Sequence, residues 1–197
     1  MTLTELDALT TAMLPVRDLA DHLRLGTGFA DDGAEDAVLE TYLRSAISAI
    51  EIRTGRALLA RRFSWTITRW RSAGAQPLPI APVSAIESVT LKTADGTPTV
   101  ADISAFVLMP DDARPVLAAK SGQLPAIPEC GLAEIAFTAG YGTDWAAVPA
   151  NLAQAVRLLA ASYFEHRSGE GVVGDLPFMV EALLAPYRQL RMGGGTA

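Results

Sequence analysis

Cysteine, histidine and lysine are nearly absent from this chain of 197 residues. The one cysteine, Cys130, forbids an intrachain disulfide and with it the stapled framework of a small secreted domain. It lies in Pro128-Glu129-Cys130-Gly131, a turn-like context with no neighbouring His or basic residue to lower its pKa, and reads as an incidental thiol. The two histidines, His22 and His166, have no second His or Cys at metal-ligand spacing. His166, in Glu165-His166-Arg167, fits a helix end, where it meets the negative pole of the helix dipole. No apolar run approaches the roughly 18–20 residues of a membrane span. Met1 to Pro15 has no basic residue and is interrupted by Glu5 and Asp7, unlike a secretory signal. A cytoplasmic protein without metal or cofactor is the expectation.

What is present is an apolar, alanine-rich and acidic chain. Half the residues are apolar, 34 are Ala, and the net charge is −6. Disorder is excluded by that apolar content, and the length suits one domain or one domain with an insertion. An acidic whole argues against a protein that coats nucleic acid with its entire surface.

Two textures alternate along the chain. Thr2-Leu3-Thr4-Glu5 matches a capping box, which predicts a short helix to about Ala12. Asp18 to Asp21 opens a second short helix, with Gly26 as its stop. The strongest helical pattern spans 34–54: Leu39, Tyr42, Leu43, Ala46, Ile47 and Ile50 form one apolar stripe, and Gly55 ends it. From Arg62 the period changes to two. Phe63, Trp65 and Ile67 alternate with Ser64, Thr66 and Thr68, as on a half-buried strand. Pro77, Pro79 and Pro82 mark an edge-like segment. Strands are predicted over 86–92, 106–109, 115–117 and 134–139, with Asp95-Gly96 as a hairpin turn and Gly140-Tyr141-Gly142 as the close. Helix returns at Pro149, with Leu152, Ala155, Val156, Leu159 and Tyr163 in a second stripe ending around 166–169. A glycine-bearing loop over 168–174 follows. Asp175 and Pro177 then begin a last helix carrying Val180, Leu183, Leu184 and Tyr187, which Pro186 must kink or end. Gly193-Gly194-Gly195 makes a flexible tail over 192–197. The expected fold is α+β: a small helical bundle from residues 1–56 and 149–191, with an antiparallel β unit inserted over about 62–141. The two long stripes must pack together, and a bundle this rich in alanine is expected to lean on neighbouring subunits.

Catalytic signals are sparse. The glycine clusters match neither a P-loop nor a dinucleotide fingerprint, and no Gly-x-Ser-x-Gly elbow exists. Asp31-Asp32 and Asp111-Asp112 are carboxylate pairs in turn contexts, where capping and solvation explain them better than catalysis or metal binding. The chain is not expected to be an enzyme.

One charge feature stands out. Arg53, Arg56, Arg61, Arg62, Arg69 and Arg71 fall between Glu51 and Glu87 with no acidic residue among them. They suit phosphate, a neighbour's carboxylates, or the solvated side of a helix end and strand. Trp65 and Trp70 are interleaved and are candidates to stack on bases, although Trp65 shares the apolar strand face. All of these readings stay open at this level.

Several segments carry a resemblance in order: His22-Leu23-Arg24-Leu25, Ile50-Glu51-Ile52-Arg53-Thr54-Gly55-Arg56-Ala57-Leu58, Leu78-Pro79-Ile80-Ala81-Pro82-Val83, Thr138-Ala139-Gly140-Tyr141-Gly142, Val148-Pro149-Ala150-Asn151-Leu152, Tyr163-Phe164-Glu165-His166-Arg167 and Leu183-Leu184-Ala185-Pro186-Tyr187-Arg188. Across about residues 16–191 the chain resembles the head–tail connector proteins of tailed phages and gene transfer agents. Its Arg-rich, Lys-poor usage suits the adaptor of an alphaproteobacterial agent. Residues 1–14 have no counterpart in that resemblance. The resemblance implies a structural virion protein assembled in the bacterial cytoplasm. It forms a ring, commonly dodecameric, beneath the portal protein and above the stopper or head-completion protein, and DNA passes through its channel. It also implies portal contact by the C-terminal residues Arg188, Arg191, Met192, Gly193 and Gly194. A DNA-binding regulator or packaging accessory is the alternative, but helix 34–54 offers Glu35, Asp36, Glu40 and Glu51 against Arg44 and Arg53.

Overall fold

The computed structural model describes residues 1–25, 34–166 and 176–187, which group into two compact units. One comprises Met1–Thr10 with Arg56–Ala147, and the other Thr11–Gly55 with Val148–Ala197.

The first unit is built on strands: β1 (Thr2–Glu5), β2 (Arg61–Ile67), β3 (Ala75–Pro77), β4 (Val83–Lys92), β5 (Pro98–Val100), β6 (Phe106–Met109), β7 (Val116–Ala119) and β8 (Leu132–Ala139). A five-stranded sheet runs β1-β2-β8-β4-β5, and a three-stranded sheet runs β3-β7-β6, all antiparallel. The period-two pattern of β2 is realised directly: Phe63, Trp65 and Ile67 lie opposite Phe137, Ile135 and Ala133 of β8, and all six are buried. The Phe63 and Phe137 rings stack with centroids 5.9 Å apart. Val89, Phe106, Leu117 and Leu124 complete this core. Asp95 receives the hydroxyl of Thr97 at 3.0 Å and closes the β4–β5 turn that Asp95-Gly96 predicts. Pro77 ends β3 at a sheet edge, where a missing N–H costs no ladder bond. Gly140 ends β8 at φ +130, and a Cβ there would stand 2.4 Å from the Ala60 nitrogen, so only glycine fits.

The capping-box reading of residues 2–5 is wrong. They form β1 and pair with β2, Thr2 opposite Thr66 and Glu5 opposite Phe63. A capping box contributes about 1 kcal/mol. Against it stand the ladder bonds, the β-branched Thr2 and Thr4, and two charge pairs: Glu5 with Arg61 and Asp7 with Arg62. Long-range pairing overrides a weak local signal.

The second unit is helical: α1 (Val16–His22), α2 (Ala34–Thr54), α3 (Ala150–Glu165) and α4 (Phe178–Leu184). The two predicted stripes meet, since α2 packs on α3 with Leu39, Leu43, Ile47 and Ile50 buried on one and Leu152, Val156 and Leu159 on the other. Tyr42 and Phe164 meet edge to face at 6.1 Å. α1 touches both long helices and α4 packs on α3 through Val180 and Leu184, so α3 is the centre of the bundle. Gly55 at φ +67 turns the chain out of α2 and donates its N–H to the Glu51 carbonyl, the stop expected there. α4 gives way at Ala185–Tyr187 to a tighter turn containing Pro186, as a proline inside a helical pattern requires. Gly26 and Asp175, assigned roles at helix ends, lie outside the described residues, as does the glycine-bearing loop.

Candidate functional site

The six arginines do not converge into one basic face. Arg53, on α2, reaches Glu181 of α4 at 2.8 Å and ties two helices together. Arg56 is buried, donating to the Tyr141 hydroxyl at 3.0 Å and to the Asp112 carbonyl. Arg61 is also buried. Its guanidinium lies 4.9 Å from the Phe63 ring centroid, with Nε 2.8 Å from Glu5 Oε1 and a donor 3.1 Å from the Leu59 carbonyl. Arg62 makes a two-pronged contact with the Asp7 carboxylate at 2.8 and 2.9 Å. That contact holds the Asp7 carboxyl below its ordinary range and raises the guanidinium further. Four of the six are therefore fasteners within their own unit. Each has its charge spent on a carboxylate, carbonyl or ring already in the chain.

Arg69 and Arg71 differ. Both are exposed, and neither makes an ion pair among the described residues. They border a shallow cleft of about 460 Å³ together with Trp70 and Ile127. The Trp70 indole donates to the Pro125 carbonyl at 2.7 Å, and the Arg71 backbone N–H donates to the buried Gln76 side chain at 2.7 Å, which pins the loop between β2 and β3. Trp65 is 6% exposed within the core, so it is withdrawn from base stacking.

The other singled-out residues take structural places. Asp111 accepts backbone N–H groups of Ala113 and Arg114 at 2.7 and 2.6 Å, and these bonds lower its pKa. That is the turn-capping role expected of the Asp111-Asp112 pair. Cys130 is an exposed free thiol at φ +55. His166 follows α3, and its Nδ1 lies 2.8 Å from the Ser162 carbonyl, at the negative end of the helix. No group of three or more His, Cys, Asp or Glu among the described residues is placed to hold a metal, and no described helix is long and apolar enough to cross a membrane. Arg188, Arg191, Met192, Gly193, Gly194 and the Asp31-Asp32 pair lie outside the described residues.

Sequence reasoning missed a set of exposed apolar side chains. In the helical unit Ile52 and Phe178 are each 82% exposed and Met179 is 61% exposed. Arg53, which follows Ile52 on α2, pairs with Glu181, which sits one turn from Phe178 on α4. In the β unit Met1, Leu3 and Leu6 are open along β1. The legible signal is Ile52, which falls off the stripe that Ile50 belongs to. Phe178, next to Pro177, carries no periodic signature. Clustered exposed apolar groups mark surfaces meant to be covered.

No protein-family model and no curated protein matches the chain. Solved structures do. A chain in the neck of an empty gene transfer agent particle, computed with C6 symmetry, is 49% identical over all of both chains with a TM-score of 0.90. A chain in the virion of a native gene transfer agent particle is 49% identical over 99% of each, TM-score 0.87. A third, in the neck of a native particle computed with C12 symmetry, is 43% identical over the full length of both chains, TM-score 0.86. With such identity maintained from end to end, the chain belongs to the head–tail connector family of gene transfer agent necks.

Proposed function

We propose that the chain is the ring-forming head–tail adaptor of a gene transfer agent. It docks beneath the portal, joins it to the stopper and tail, and lines part of the DNA channel. The observation that carries this reading is full-length similarity, at 49% identity and TM-score 0.90, to a chain of a particle neck computed with cyclic symmetry. Residues 1–197 serve as a single connector, with the β unit inserted into the bundle.

The physical features support it. A closed ring needs two different patches on each copy that fit one another. The bundle supplies exposed Ile52, Phe178 and Met179, whose burial against a neighbour contributes roughly 25 cal/mol per Å² of apolar area. A net charge of −6 suits a channel through which duplex DNA slides without adhering. The segment with Arg188, Arg191, Met192, Gly193 and Gly194 is the proposed portal contact. Assembly takes place in the bacterial cytoplasm, and the role is structural, not catalytic.

The regulator alternative is weaker. Nonspecific duplex binding draws on several phosphate contacts, whereas Arg53, Arg56, Arg61 and Arg62 are engaged within the chain. The test is deletion of the gene in a producing strain. Heads and tails that accumulate unjoined, and join when the chain is restored, support the adaptor. Normal tailed particles without the chain overturn it.

A further inference from the structure

β1 is an edge strand, paired only with β2 in its sheet. An antiparallel ladder turns alternate residues inward, so one bond fixes the direction of the rest. Leu6 donates to the Arg62 carbonyl at 2.9 Å, and in the same register Thr4 faces Ser64 and Thr2 faces Thr66. The backbone groups of Thr2 and Thr4 therefore point into the sheet, and those of Leu3 and Glu5 point out. No described residue bonds to them from the open side.

The flanks of this edge are unusual. Natural edges are blunted by Lys, Pro, bulges or unpaired charge. Residues 1–6 contain no Lys and no Pro, and the one carboxylate, Glu5, is matched by Arg61. Met1, Leu3 and Leu6 stand 80%, 40% and 49% exposed beside the open backbone. The opposite edge is built differently. The bonds from Thr93 to the Thr97 carbonyl and from Ala101 to the Val89 carbonyl turn Thr99 inward, so Pro98 and Val100 face out. Pro98 has no N–H to offer, and that edge keeps one outward donor.

We propose that β1 is a docking strand: an extended segment of a different neck protein adds beside it and extends the five-stranded sheet. The inference rests on the neck reading above. A second copy of this chain is the poorer occupant. β1 against β1 is a two-fold contact that closes at two copies, whereas the similar necks were computed with C6 and C12 symmetry. β5 of a neighbour would bring only the Val100 amide. The partner segment is extended and bonds to the N–H and C=O groups of Leu3 and Glu5. It carries an apolar residue beside Leu3 and no carboxylate beside Glu5.

Hydrogen exchange on the isolated chain and on purified particles tests this, with a photo-reactive residue at position 3 in a parallel particle preparation. Mass spectrometry first establishes that the particles contain the chain. The expected result is about tenfold or greater slowing of exchange in residues 2–6 on assembly, with a cross-link from position 3 to another neck protein. Leu3→Pro removes one outward donor without touching the β1–β2 ladder; it is expected to leave the isolated chain's unfolding midpoint unchanged and to abolish that slowing at Glu5. Equal exchange in both states, or a cross-link to a second copy of this chain, overturns the docking strand alone. Particles that lack the chain overturn the neck reading, and this inference with it.

Discussion

Replacing Arg61 with alanine separates a structural arginine from a DNA contact. The guanidinium is held 2.8 Å from Glu5 and 4.9 Å from the Phe63 centroid, on a residue 7% exposed. A partly desolvated cation–π contact contributes about 1 kcal/mol. A charge-assisted bond contributes about 1.5 kcal/mol, reduced here because the Glu5 side chain is 40% exposed and screened by water. The void left beside Phe63 adds about 1 kcal/mol. The sum, allowing for that screening, is a loss of about 2–3 kcal/mol, or roughly 1 M in the urea midpoint for a unit of this size. Trp65, Trp70 and Trp145 all lie in the β unit, so tryptophan fluorescence during urea unfolding reports on that unit. Arg62→Ala is the control: its pair with Asp7 is open to water, with side chains 53% and 41% exposed, and little change is expected. An Arg61→Ala midpoint within about 0.3 M of the parent, or an equal loss from Arg62→Ala, refutes this assignment.

Other consequences follow from the same geometry. Leu159→Ala in α3, where Leu159 is 1% exposed, is expected to cost about 2–5 kcal/mol, measured by circular dichroism during denaturation. Gly140→Ala places a Cβ 2.4 Å from the Ala60 backbone and should destabilise the β unit by at least about 2 kcal/mol, read by tryptophan fluorescence. Lys92 donates to Glu134 and holds its pKa below the ordinary 4.5. A carboxyl with a depressed folded pKa stabilises above its unfolded value and loses that contribution as pH falls through the folded one. Stability should therefore decline below about pH 4.5, and Glu134→Gln should flatten part of that decline in a urea midpoint series. Truncating residues 189–197 should weaken portal docking in a sedimentation assay while leaving the unfolding curve unchanged; undiminished docking would reject the tail as the portal contact.

Sequence reasoning recovered most of the scaffold because its signals were local and strong. The α2 stripe from Leu39 to Ile50 and the alternation through Phe63, Trp65 and Ile67 each repeat a burial pattern that one segment sets by itself. Pro77 and Pro186 acted where backbone chemistry said they must. β1 failed because its structure depends on Arg61 and Arg62, dozens of residues away, and a local cap signal is the weaker force. The division of the strands into two sheets, with β3-β7-β6 apart, depends on pairings that no single segment encodes. The arginine segment stayed open at the level of sequence for a related reason. Its residues fall within one stretch of sequence, but partners on other elements decide which charges reach solvent: Arg53, Arg56, Arg61 and Arg62 are engaged by carboxylates, a carbonyl and a hydroxyl, while Arg69 and Arg71 make no ion pair among the described residues. Ile52 and Phe178 lie on helices distant in sequence, and Phe178 opens a helix of only seven residues, too short for periodicity to mark its exposed side.

The proposed adaptor is a ring of this chain seated on the portal. Cryo-electron microscopy of the purified chain mixed with its purified portal tests it most directly. The expected result is a cyclic ring of this chain seated beneath the portal, continuous with its channel and with Ile52 and Phe178 buried between neighbouring copies. A portal left bare at saturating chain concentration, with the chain still monomeric, would contradict it.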